Sequence, residues 1–193
     1  MNRKVGVLFA RRNSIYKSLP GTDVYDVARD ARTYNRHFPV ICHPPCRSWG
    51  RCRGLANIIQ EEKDLALFAL AQVRKWGGVL EHPESSTLWK TMNLPLGNQR
   101  DEFGGWTLSI NQSWFGHKAR KKTWLYIVGV EPGSIPDYPI TFDAIEYTVG
   151  SSKARKWNGK KELSQAGREY TPEQLAKWLI KLARNVKSNQ HLR

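Results

Sequence analysis

Apolar positions along the chain fall into two patterns. Short continuous runs bounded by Gly, Pro or Asn predict buried strands, and longer stretches at helical spacing predict helices. Residues 4–10 (Lys-Val-Gly-Val-Leu-Phe-Ala) predict a first strand, and Asn13 or Ser14 is placed to cap a short helix ending before Pro20-Gly21. Residues 22–27 and 38–43 predict two more strands, the second stopped by Pro44-Pro45. The clearest helix is 61–76, where Glu61, Glu62 and Asp64 open it, Arg74 and Lys75 close it, and Gly77 stops it. That charge order suits the helix dipole. Its middle (Leu65, Leu67, Phe68, Leu70, Val73) is apolar nearly all round and predicts deep burial. Residues 78–83 predict a strand that completes a strand–helix–strand unit, and 105–115 and 121–129 predict two more. Residues 132–140 carry three prolines and predict a loop. A last helix is expected from Thr171, with Thr171 as N-cap, Pro172 in the first turn and Gln174 completing a capping box. Leu175, Trp178, Leu179, Leu182 and Val186 form its apolar stripe. The strand–helix–strand order predicts an α/β fold with a mostly parallel sheet and flanking helices. One α/β catalytic-like domain is expected over 1–150, a basic loop over 151–170, and a C-terminal helix over 171–193 packing on the same domain.

Composition narrows the function. The chain has 193 residues with 31 Lys and Arg against 17 acids, a formal net charge of +14. Such an excess repels itself and calls for an anionic partner, of which nucleic acid is the first candidate. Residues 151–170, with six Lys or Arg against two acids, predict an exposed, mobile stretch. No apolar run approaches the length of a membrane span, and Arg11 and Arg12 interrupt the first apolar run too early for a signal peptide. Cys42, Cys46 and Cys52 are an odd set in a short stretch, a poor disulfide framework. A reducing cytoplasm is expected, with either a reactive thiol or a metal site.

Three constellations carry candidate chemistry. In His43-Pro44-Pro45-Cys46-Arg47-Ser48-Trp49-Gly50 a cysteine sits just past a strand on a stiff turn, at the sheet edge where α/β proteins bind ligands. Arg47 beside it would favour the nucleophilic thiolate. In Leu80-Glu81-His82-Pro83 a carboxylate ends another buried strand on the same edge. Thiolate attack on a pyrimidine needs an electron-poor ring, which a carboxyl group bonded to the ring nitrogen promotes. In the stretch from Gln112 to Gly129, Lys118, Arg120, Lys121 and Lys122 lie between aromatics with no acid, a surface suited to phosphates and bases. Zinc is a weaker reading: Cys42, His43, Cys46, Cys52 and His82 are ligand types without paired Cys-x-x-Cys spacing. The deaminase signature is missing. The Pro–Cys likeness to thymidylate-synthase-like enzymes is local.

The order strand–Pro44-Pro45-Cys46, helix, strand–Glu81-His82-Pro83, then Phe115-Gly116 and Arg120-Lys121-Lys122 ahead of a strand ending in Gly129 resembles the DNA cytosine-5 methyltransferases. It is most similar to the small variants of phages and prophages. Glu162 to Pro172 echoes that family's Leu-Ser-x-x-Glu stretch. The resemblance implies a shortened Rossmann-like, methyltransferase-type sheet. It implies that Cys46 attacks C6 of a flipped-out cytosine and that Glu81 holds the ring nitrogen and exocyclic amine. Arg120, with Lys121 and Lys122, stands where the family's Gln-x-Arg-x-Arg motif supplies cations. It implies S-adenosylmethionine against Phe9, Ala10, Asp26 and Pro44. It further implies DNA contacts from Arg47, Ser48, Trp49, His117, Lys118, Lys121 and Lys122, with no metal. His43 and His82 are candidate proton shuttles by position. The chain departs from the family in lacking glycines from Leu8 to Ser14, where Arg11 and Arg12 suit a phosphate better than a sulfonium. Only 20 residues separate Asp26 from Cys46, little room for the helix and strand that complete an adenine pocket. The terminal Gly-Asn motif and a target-recognition domain are also missing. The expected function is C5 modification of cytosine in DNA. The alternatives are a non-catalytic DNA-binding relative and a pyrimidine-nucleotide enzyme with another donor.

Overall fold

The computed structural model describes residues 3–50, 59–84, 86–141, 143–149 and 159–187. Its centre is a six-stranded sheet built from β1 (Val5–Leu8), β2 (Thr22–Tyr25), β3 (Val40–Cys42), β4 (Gly78–Pro83), β5 (Trp106–Asn111) and β6 (Lys122–Val128). The spatial order is β2-β1-β3-β4-β6-β5. The first four strands are parallel, and β6 runs antiparallel to both β4 and β5. The chain steps outward from β1 to β2, then returns to the other side of β1 as β3. That reversal falls between β1 and β3, and the carboxyl ends at such a point are where open α/β sheets bind ligands.

Every residue of β1 and β3 is buried, as expected of parallel strands covered on both faces. One cover is α1 (Gln60–Trp76), which packs on β3 and β4. The other is a C-terminal helix (Glu173–Arg184, called α4 below), which lies against β1, β3 and β4. Strand alternation sorts the core. Val79, Leu125 and Ile127 point to the α4 layer, and Leu80, Tyr126 and Val128 to the α1 layer. The α1 middle is half-buried rather than enclosed: Ala66, Ala69, Leu70 and Val73 face the sheet, while Leu65, Leu67 and Phe68 stay partly exposed. Two alanines on the contact face let the helix lie close, so the long apolar residues beside them overhang the layer. Gly78 makes the α1-to-β4 turn with φ 119°, and a Cβ there would sit 2.0 Å from the Val40 carbonyl oxygen.

Several local expectations shift. Ser14 does cap a short helix, but it is a 3-10 turn at Ile15–Ser18. The strand expected to run to 115 ends at Asn111, and Gln112–Phe115 is a 3-10 turn closed by Gly116 in the left-handed region. The α4 helix is capped by Pro172 without a side-chain bond, so the Thr171 capping box does not form. The stretch expected to be mobile contains β8 (Lys161–Glu162), paired with β7 (Tyr147–Thr148), and the short helix α3 (Gln165–Glu169). Residues 151–158 lie outside the described residues, as does Cys52. A further short helix, α2, spans Thr87–Thr91. Among the described residues no helix is long and apolar enough to cross a membrane.

Candidate active site

Strand geometry brings the site together. His43 follows Ile41 by two residues and Glu81 follows Val79 by two, so both side chains emerge on the α4 side at the carboxyl edge. Thr123 on β6 lies opposite Pro83 on the same face. Tyr16 reaches in from the 3-10 turn after β1. The Tyr16 hydroxyl pairs with His43 Nε2 at 3.1 Å, and His43 Nδ1 lies 3.1 Å from Glu81 Oε2. Gln112 Nε2 donates to Glu81 Oε1 at 2.9 Å and to Thr123 Oγ1 at 3.0 Å. Lys121 Nζ stands 4.0 Å from Glu81 Oε1.

These contacts set the charge state. Burial alone would raise the Glu81 carboxyl, but the Lys121 charge and the His43 contact overcome it and hold it at about 2. Glu81 is therefore a carboxylate and an acceptor, so His43 Nδ1 carries the proton between them. The Tyr16 phenol is kept protonated by burial and by the Glu81 charge. His82 points to the α1 side, where its Nδ1 pairs with Ser86 Oγ at 2.7 Å. Burial lowers it to about 4, so it is neutral.

Cys46 is partly exposed on the turn after β3, whose carboxyl end lies beside that of β4. Thiol, carboxylate and ammonium thus share one edge of the sheet. The thiol is pushed up by burial first and then by Glu81, with Lys121 opposing. Arg47 does not activate it: its guanidinium bonds Glu62 of α1, at 2.6 Å for the closest pair. The cation at the site is Lys121, with a side chain 17% exposed, whereas Arg120 points to solvent. Alternation entering β6 explains the swap, because a one-residue shift in register exchanges the two faces.

The other expected residues divide. Lys118 and Lys122 are exposed, the latter 3.4 Å from Glu84. Ser48, Trp49 and His117 are buried, so they do not form a DNA-facing surface. The Ser48 hydroxyl instead holds Glu62 and the Ile59 backbone. His117 Nδ1 contacts the Ala119 backbone, and burial lowers its pKa. Pro44 is buried, and Phe9 is half-buried edge-on to Phe68. Phe9 has φ 62°, a left-handed backbone that glycine adopts readily and Phe does not. Asp26 does not present a free carboxylate: Lys17 Nζ sits 2.6 Å from Oδ2, and Oδ1 accepts the backbone N–H groups of Ala28 and Arg29. These bonds hold Asp26 at about 2.

A strap from Leu163 to Tyr170 crosses this edge. Arg11 donates to the Ala166 carbonyl at 2.9 Å and lies 3.8 Å from Glu169. The Gly167 backbone lies beside His117. Sequence reasoning missed Tyr16, Gln112 and the strap, because the chain gives no local sign that 16, 112 and 163–170 meet 43 and 81. Among the described residues no group of three or more His, Cys, Asp or Glu could hold a metal ion. Comparison of the chain with protein-family models, curated proteins and solved structures gives no match.

Proposed function

We propose that this protein activates cytosine in DNA at C5 through a covalent bond from Cys46 to C6. The observation that carries the reading is the adjacency of the β3 and β4 carboxyl ends, which sets the partly exposed Cys46 turn on the same sheet edge as the Glu81 carboxylate with Lys121 at 4.0 Å. The strand order, with its reversal between β1 and β3, supports a shortened Rossmann-like sheet of the methyltransferase type. The net charge of +14 supports a polyanionic partner.

In the proposed course the base swings out of the stack. The Cys46 thiolate forms the S–C6 bond, and the C5=C6 pair moves to C5 and is delocalised toward N3. Glu81 accepts hydrogen bonds from the exocyclic amine and from N3 once it is protonated. It does not itself supply the N3 proton, because it is ionised; water supplies it, and the hydroxide so formed takes it back when the thiolate leaves. C5 takes an electrophile, or a proton from water. Loss of the original C5 hydrogen as a proton then re-forms C5=C6 and breaks S–C6. The residues at the end of β1 do not fit S-adenosylmethionine. They lack a glycine cradle, carry Arg11 and Arg12, and leave the Asp26 oxygens already bonded. No step is therefore derived through that donor.

Exchange at C5 tests the reading without any donor. DNA carrying 5-deuterocytosine should lose label to water with the wild-type protein and not with Cys46→Ala. Full label retention with the wild type would overturn the reading. The strap seated on this edge and the raised thiol favour a second reading, a DNA-binding relative that performs no chemistry. Label retention together with tight DNA binding would select it.

A further inference from the structure

Gln112 is 1% exposed and opens the 3-10 turn after β5. Its amide orientation follows from chemistry. An ionised Glu81 only accepts, so the Gln112 nitrogen must face it. The second N–H goes to Thr123, whose hydroxyl donates in turn to the Lys121 carbonyl at 3.3 Å. Both donors are used, and the side-chain oxygen of Gln112 is left buried with no partner. Covalent geometry places that oxygen about 2.2 Å from its nitrogen. A second acceptor thus lies within about 5 Å of Glu81. A buried acceptor without a donor carries its full desolvation penalty, so the site is incomplete until a donor arrives.

We infer that Gln112 determines base specificity, its side-chain oxygen taking one hydrogen of the exocyclic amine of cytosine while Glu81 takes the other. This rests on the reading of Cys46 and Glu81 given above. Uracil and thymine present a carbonyl oxygen at that position. It would face two acceptors with no hydrogen between them, a repulsive arrangement that rejects these bases. The Gln112 oxygen is shielded from solvent in this structure, so a base reaches it only by displacing what covers it.

The test compares C5 exchange on oligonucleotides carrying one labelled cytosine or one labelled uracil. Wild type should favour cytosine at least 100-fold, and Gln112→Met should cut that ratio by about tenfold or more. Thr123→Val removes the partner of the Gln112 nitrogen and should slow both bases together, leaving the ratio unchanged. A ratio within twofold of wild type in Gln112→Met overturns the inference and leaves the cysteine chemistry standing. Absence of exchange on cytosine by the wild type overturns both. A second measurement needs no folded variant. N4-methylcytosine keeps a single amine hydrogen, so the wild type should exchange it about tenfold more slowly than cytosine or worse. Equal rates on the two bases would refute the role of Gln112.

Discussion

Replacing Lys121 by Met removes the cation that contributes most to lowering the Glu81 carboxyl while leaving most of the side-chain volume. At the 4.0 Å separation observed, an effective dielectric constant of about 20 gives an attraction of about 4 kcal/mol. At 1.36 kcal/mol for each tenfold change in proton affinity, that would carry Glu81 from about 2 to about 5. The wild-type carboxyl lies below its ordinary 4.5. Its stabilisation is therefore full above pH 4.5 and fades as pH falls toward 2. The variant lacks that term, so it should be less stable by about 4 kcal/mol at pH 7 and by about 1.5 kcal/mol at pH 3. Urea denaturation across that range, with Lys121→Arg as the rescue, measures the gap. A gap that stays constant with pH would show that the Lys121 stem matters through packing, and the electrostatic account of Glu81 would be wrong.

Cysteine reactivity should follow the same geometry. Because burial and Glu81 raise the Cys46 thiol, C5 exchange should climb about tenfold per pH unit from neutrality upward; a flat profile would indicate a preformed thiolate. Leu179→Ala empties a fully buried position between α4 and the sheet and should cost about 2–5 kcal/mol in denaturant unfolding. Gly78→Ala drives a Cβ into the Val40 backbone and should abolish accumulation of folded protein, read by expression and circular dichroism. A well-folded Gly78→Ala protein would contradict the β3–β4 register.

The chain by itself determined the α/β class, the strand at Gly78–Pro83 and the helix ending at Trp76. Continuous apolar runs and helix-end charges are local signals and need no partner to be read. It also marked Cys46 and Glu81, since residues just past buried strands fall at the edge where parallel sheets gather ligands. Tertiary structure decided the rest. Lys121 rather than Arg120 faces Glu81 because the face of a β6 residue depends on register against β4, which neighbouring cations cannot reveal. Arg47 is claimed by Glu62 on the following helix, and Asp26 by Lys17, through pairings that exist only once the turns are folded. Tyr16, His43, Glu81 and Gln112 are spread from 16 to 112 and meet because four backbone segments end at one edge of the sheet. Side chains at such separations acquire their charge state and their bonding from one another, and that coupling is a property of the packed fold.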